Sequence, residues 1–85
     1  MYKLAYAKQA VRVLRKMPAN TAASIREKLK GIADNPLGKH NNAKKLQGRS
    51  AYRLRVGDWR VIYEINNEEL QILVIKIASR GEVYR

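Results

Sequence analysis

The sequence predicts a single α+β domain, a small antiparallel β-sheet with an N-terminal helical hairpin packed on one face. Three observations predict it. Apolar residues recur at helical spacing only between residues 7 and 32, and period-two alternation fills the C-terminal half. The length of 85 residues leaves room for one core, because domains typically run to about 100–150 residues. Hydrophobic residues make up 46% and charged residues 29%, which is enough apolar surface for a packed core and argues against a disordered chain.

Tyr2-Lys3-Leu4-Ala5-Tyr6 alternates large side chains with small or charged ones, as a half-buried strand does. The period then changes. Ala7, Ala10, Val11, Leu14 and Met17 share one helical face, Arg12, Arg15 and Lys16 lie toward solvent, and Pro18 ends the helix. A second helix follows at once, with Asn20 or Thr21 available to cap it and Ala22, Ile25, Leu29 and Ile32 as its buried stripe. Asn35-Pro36 closes it, since the residue before a proline avoids the α region. Residues 37–42 read as a loop, and residues 44–48 as a short strand or its approach.

From residue 52 the pattern is β. Residues 52–56 alternate, Gly57-Asp58 is a turn signal, and residues 59–65 resume as a strand, which makes a hairpin. Asn66-Asn67-Glu68-Glu69 forms the next turn, and residues 70–78, LQILVIKIA, have the composition of a central strand covered on both faces. With Gly57 and Asp58 as the loop, Val56 opposes Trp59, Arg55 opposes Arg60, Leu54 opposes Val61 and Arg53 opposes Ile62. Tyr52, Leu54, Val56, Trp59, Val61, Tyr63 and Ile65 then share the face that packs on the helices. Arg53, Arg55 and Arg60 share the other. If the second turn keeps the same parity of pairing, Leu73, Ile75 and Ile77 join the arginines.

Two arginines placed opposite one another repel, by a few tenths to about 1 kcal/mol relative to a neutral pair. An anion bound between them reverses that sign, so the pattern points to a ligand. The composition agrees: 18 Lys and Arg against 7 Asp and Glu give +11, a charge suited to a polyanionic partner. The excess is uneven, with +12 on residues 1–56 and −1 on residues 57–85. The absence of cysteine removes disulfides, thiol chemistry and the usual structural zinc sites, and the lone His40 makes a poor basis for a metal centre. No window approaches the roughly 18–20 apolar residues of a spanning helix, so a cytoplasmic protein without a membrane partner is expected.

Lys45-Leu46-Gln47-Gly48, the run 52–65, Val74-Ile75-Lys76-Ile77-Ala78-Ser79-Arg80 and Val83-Tyr84 follow one another in an order that resembles the RelE/ParE superfamily of type II toxins, and within it the RelE branch. The resemblance implies a RelE-like microbial ribonuclease fold and a ribosome-dependent endoribonuclease that cuts mRNA in the decoding A site of the 30S subunit, using no metal and no cofactor. Under it Arg53, Arg55 and Arg60 stabilise the transition state. Arg80 matches the family arginine near the leaving oxygen, and Tyr84 matches the family tyrosine that acts as general base. The sequence departs from the best-known RelE pattern by having Arg-Leu-Arg at 53–55 in place of Lys-x-Lys.

Lys44, Lys45 and Arg49 are expected on the RNA backbone, and Leu73 and Ile75 on a RelB-like antitoxin, through which alone operator DNA would be bound. Two other functions fit the same residues: a ParE-like inhibitor of DNA gyrase, and a non-catalytic basic module that binds nucleic acid. Trp59 is assigned to the helix side and His40 to an exposed loop.

Overall fold

The computed structural model describes residues 1–79. Its elements in chain order are β1 (Lys3–Tyr6), α1 (Lys8–Lys16), α2 (Ala19–Asp34), β2 (Ala43–Lys45), β3 (Ala51–Val56), β4 (Trp59–Asn66) and β5 (Gln71–Ser79). The strands form one sheet in the order β1-β5-β4-β3-β2, and both helices pack on one face of it. Ala10, Leu14 and Met17 of the first helical segment meet Ala22, Ile25, Leu29 and Ile32 of the second over Leu54, Val61, Tyr63, Ile72, Val74 and Ile77 of the sheet. Each fully buried aliphatic side chain contributes about 1.5–3 kcal/mol relative to exposure.

The expected β3–β4 register is the observed one, from Val56 opposite Trp59 to Arg53 opposite Ile62. Gly57 has φ +58, a left-handed conformation that a two-residue hairpin loop requires and glycine adopts without a Cβ penalty. Tyr52, Trp59 and Ile65 pack against the helix-side core as expected. Tyr52 and Tyr63 stack, with ring centroids 5.4 Å apart.

Four expectations are corrected. The sheet is antiparallel except at one edge, where β1 runs parallel to β5, Lys3 beside Gln71 and Tyr6 beside Val74; the helical pair serves as the crossover that a parallel neighbour needs. No side chain caps α2. Pro18 occupies the cap position, and its carbonyl accepts from both Thr21 N and Ala22 N at 3.0 Å; Asn20 lies inside the first turn, where its Oδ1 accepts from Thr21 N at 2.9 Å. The second strand is shorter and earlier than read, ending at Lys45, because residues 46–50 turn through Gly48 at φ +69.

The fourth correction concerns β5. Tyr63, Glu64 and Ile65 pair with Val74, Leu73 and Ile72, but Val61 and Ile62 pair with Ile77 and Lys76, so Ile75 is an extra residue at a bulge. Unbroken pairing would set Lys76 opposite Val61 in the core and turn Ile77 outward. The bulge exchanges them: Ile77 is fully buried in the core cluster, and the lysine escapes the desolvation that an unpaired buried charge suffers. Beside the bulge β5 is not covered on both faces, since Leu73, Ile75 and Lys76 are half-buried.

Where β1 ends, the side chain of Gln9 takes over its role. Gln9 Nε2 donates to the Ile77 carbonyl at 2.8 Å, and Ile77 N donates to Gln9 Oε1 at 2.9 Å. One amide thus continues the ladder along the edge of β5.

Candidate functional site

The sheet face turned away from the helices carries the candidate site. Ala51, Ile62 and Ala78 are buried yet stand outside the helix-side core cluster, and they form an apolar floor. Around it stand the cations. One rung across four strands reads Lys44, Arg53, Ile62, Lys76, and the next reads Arg55, Arg60, Ala78. With strands about 4.8 Å apart, the first rung spans roughly 14 Å, which is long enough to follow a nucleic-acid backbone.

Arg55 and Arg60 face one another but differ in setting. Arg55 is exposed, whereas Arg60 is only 8% exposed and is the one buried charged residue among those described. The Arg60 guanidinium folds back on the hairpin, where Nη1 donates to the Trp59 carbonyl at 3.2 Å and more weakly to the Gly57 carbonyl at 3.4 Å. These carbonyls hold the head in place while leaving other N–H groups of its five-donor fork for a ligand. Arg53 is half-buried.

The other expected residues divide. Lys44 lies opposite Arg53 on the cationic face, while Lys45 lies opposite Tyr52 and therefore on the other side. Arg49 is exposed in the turn between β2 and β3. Leu73 lies opposite Glu64 on the cationic face, and Ile75 is the bulged residue. Arg80 and Tyr84 lie outside the described residues. Lys76 was not singled out in the sequence, although it is the only charged residue in the run LQILVIKIA, and that isolation was the available signal.

The described tyrosines near the core are held neutral. Burial pushes the Tyr63 phenol up to about 12, with Tyr52 beside it acting in the same direction. Burial also raises Tyr6, against the opposing pull of Arg26. Neither serves as a base at neutral pH. His40 Nε2 lies 2.6 Å from the Asn35 carbonyl at the end of α2, away from the arginines in the chain's loop 37–42. Among the described residues, no group of three or more His, Cys, Asp and Glu side chains is placed to hold a metal ion, and no helix is long and apolar enough to cross a membrane.

The helical pair on one face of a five-stranded sheet is a fold that this chain shares with solved RelE toxins. The archaeal RelE–RelB complex from Pyrococcus horikoshii contains a chain 29% identical to this one, superposing with a TM-score of 0.82 over 95% of this chain and 97% of that one. The intact RelBE toxin–antitoxin complex of E. coli shares the fold, with a TM-score of 0.80 at 22% identity over 96% of this chain and 99% of that one. The toxin RelE1 of Methanocaldococcus jannaschii is 28% identical over 80 residues, 92% of this chain and 89% of the relative. The family model described as the ParE toxin of the type II toxin-antitoxin system parDE matches residues 4–84, and the chain belongs to that family.

Proposed function

We propose that this toxin is a ribosome-dependent endoribonuclease that cuts mRNA in the A site. The observation that carries the reading is the pair of opposed arginines, Arg55 and Arg60, on a face where Arg53 and Lys44 continue the positive charge. RNA supplies its own nucleophile in the 2′-hydroxyl. The protein has to align it with the phosphate, neutralise the charge that develops there and manage two protons. Guanidinium groups bind phosphate oxygens bidentately and stay charged at every physiological pH, so Arg53, Arg55 and Arg60 neutralise the phosphorane. Arg80 serves the leaving oxygen and Tyr84 takes the 2′-proton. Lys44 on the cationic face and Arg49 in the exposed turn between β2 and β3 hold the RNA backbone, and Lys45, on the opposite side of β2, drops out of that set.

The partner that silences this activity in the cytoplasm is a RelB-like antitoxin, as in the complexes of the P. horikoshii and E. coli relatives. It covers the cationic face with acidic residues and meets Leu73 and Ile75 with apolar ones, and operator DNA is reached through that complex. Primer extension on a defined mRNA tests the reading, with programmed ribosomes whose A site is empty. A cut at the A-site codon that needs ribosomes and weakens in Tyr84→Phe supports it. The ParE description of the matching family favours a second reading, inhibition of DNA gyrase; uncut mRNA together with DNA damage would establish that one instead.

A further inference from the structure

Ile62 points away from the helix-side core yet is only 4% exposed, and its neighbours on that face are cations on three sides. Arg60 lies two residues back on β4, Arg53 lies across on β3 and Lys76 lies across on β5. Lys76 and Arg60 are diagonal neighbours, about 7–8 Å apart at the backbone, a separation that two long side chains close. The three side chains therefore stem from sheet positions that surround Ile62. Only one can release a proton. An ammonium gives up a proton to a developing alkoxide far more readily than a guanidinium does.

The other lysines of this face are placed elsewhere. Lys3 sits beside Gln71 at the far end of the sheet, and Lys44 is on the edge strand beyond Arg53. The bulge at Ile75 is what brings a lysine to Ile62. Without it, that position would carry an isoleucine.

We propose that Lys76 is the proton donor of the reaction, supplying the 5′-oxygen as the strand breaks; the proposal rests on the RNA-cleaving reading above. The 2′-oxygen bonds to phosphorus and its proton passes to the phenolate oxygen of Tyr84, which becomes the neutral phenol. The P–O5′ bond breaks, its electron pair goes to the 5′-oxygen, and that oxygen takes a proton from Lys76 Nζ. The products are a 2′,3′-cyclic phosphate and a 5′-hydroxyl, and solvent water carries the proton from the Tyr84 phenol back to the Lys76 amine. Arg80 stabilises the departing charge without transferring a proton.

The test is single-turnover cleavage on programmed ribosomes by the wild type, Lys76→Gln and Lys76→Arg. Two messages are compared, one natural and one with sulfur replacing the bridging 5′-oxygen at the cut. Thermal melts establish that the variants fold. General acid catalysis contributes about 10²–10⁴-fold, so both variants are expected to cut the natural message at least about 100-fold more slowly. Both should recover on the sulfur message, whose leaving group needs no proton. Wild-type rates in Lys76→Arg would overturn the proposal by showing that charge alone suffices, and slow cleavage of both messages would overturn it by confining Lys76 to binding. If the wild type leaves the natural message intact, the cleavage reading fails first and the proposal with it. That outcome is distinct from a defect seen only in the variants.

Discussion

Replacing Arg55 by glutamine should make the protein more stable and less active. Arg55 is exposed and sits directly opposite Arg60 in the ladder, so its removal opens no cavity and relieves a like-charge pair. Such pairs cost about 0.2–1 kcal/mol. With a urea m-value of about 1 kcal/mol/M for a domain this small, the unfolding midpoint should rise by about 0.2–1 M. The origin is electrostatic, so the gain should be largest at low salt and vanish near 1 M, where the Debye length falls to about 3 Å. Cleavage should move the other way. A charge-assisted hydrogen bond to the phosphate contributes about 1.5–3 kcal/mol, so the single-turnover rate should fall about 10- to 150-fold. Urea titrations at two salt concentrations, paired with the ribosomal assay, measure both. A variant that is less stable at low salt, or whose stability gain ignores salt, would refute the claim that this pair is held against stability.

Three further outcomes follow from the structure. Gln9→Met removes both bonds to the Ile77 backbone and should cost about 2–4 kcal/mol, counting the groups left unpaired; Gln9→Glu keeps the acceptor and should fall between it and the wild type in denaturant titrations. Gly57→Ala should cost about 1 kcal/mol, because a Cβ would meet open space and the penalty is that of the left-handed backbone alone; Gly57→Asn should cost less. Stability should decline as pH rises from about 10 through 12. Unfolded Tyr63 loses its proton near its ordinary value, whereas the folded phenol retains it up to about 12, and Tyr63→Phe should flatten that part of the profile measured by urea unfolding.

The residues that announced their structure did so through strict period. Residues 52–61 alternate around Gly57-Asp58, and a register with one face buried is fixed to the residue; the opposition of Arg55 to Arg60 was therefore legible. Strand β5 was not, because residues 72–75 are apolar throughout and any parity satisfies them. Only the cost of burying Lys76 decides, and it acts through a bulge that alternation cannot express. The parallel placement of β1 was hidden for a related reason: Lys3–Tyr6 is too short to name its neighbour, and the pairing depends on how the helical crossover spans the sheet. The Pro18 cap was obscured by the better capping side chains of Asn20 and Thr21, which lie one and two residues inside the first turn.

The central claim is that the cationic face directs a ribose 2′-hydroxyl against the adjacent phosphate. It is tested most directly by placing one 2′-deoxynucleotide immediately before the mapped cut in the mRNA and measuring cleavage by the wild-type protein on programmed ribosomes. The account predicts a cut in the all-ribose message, ending in a 2′,3′-cyclic phosphate, and none at the deoxy position. Cleavage that persists at the deoxy position, or an all-ribose message left whole, would contradict it.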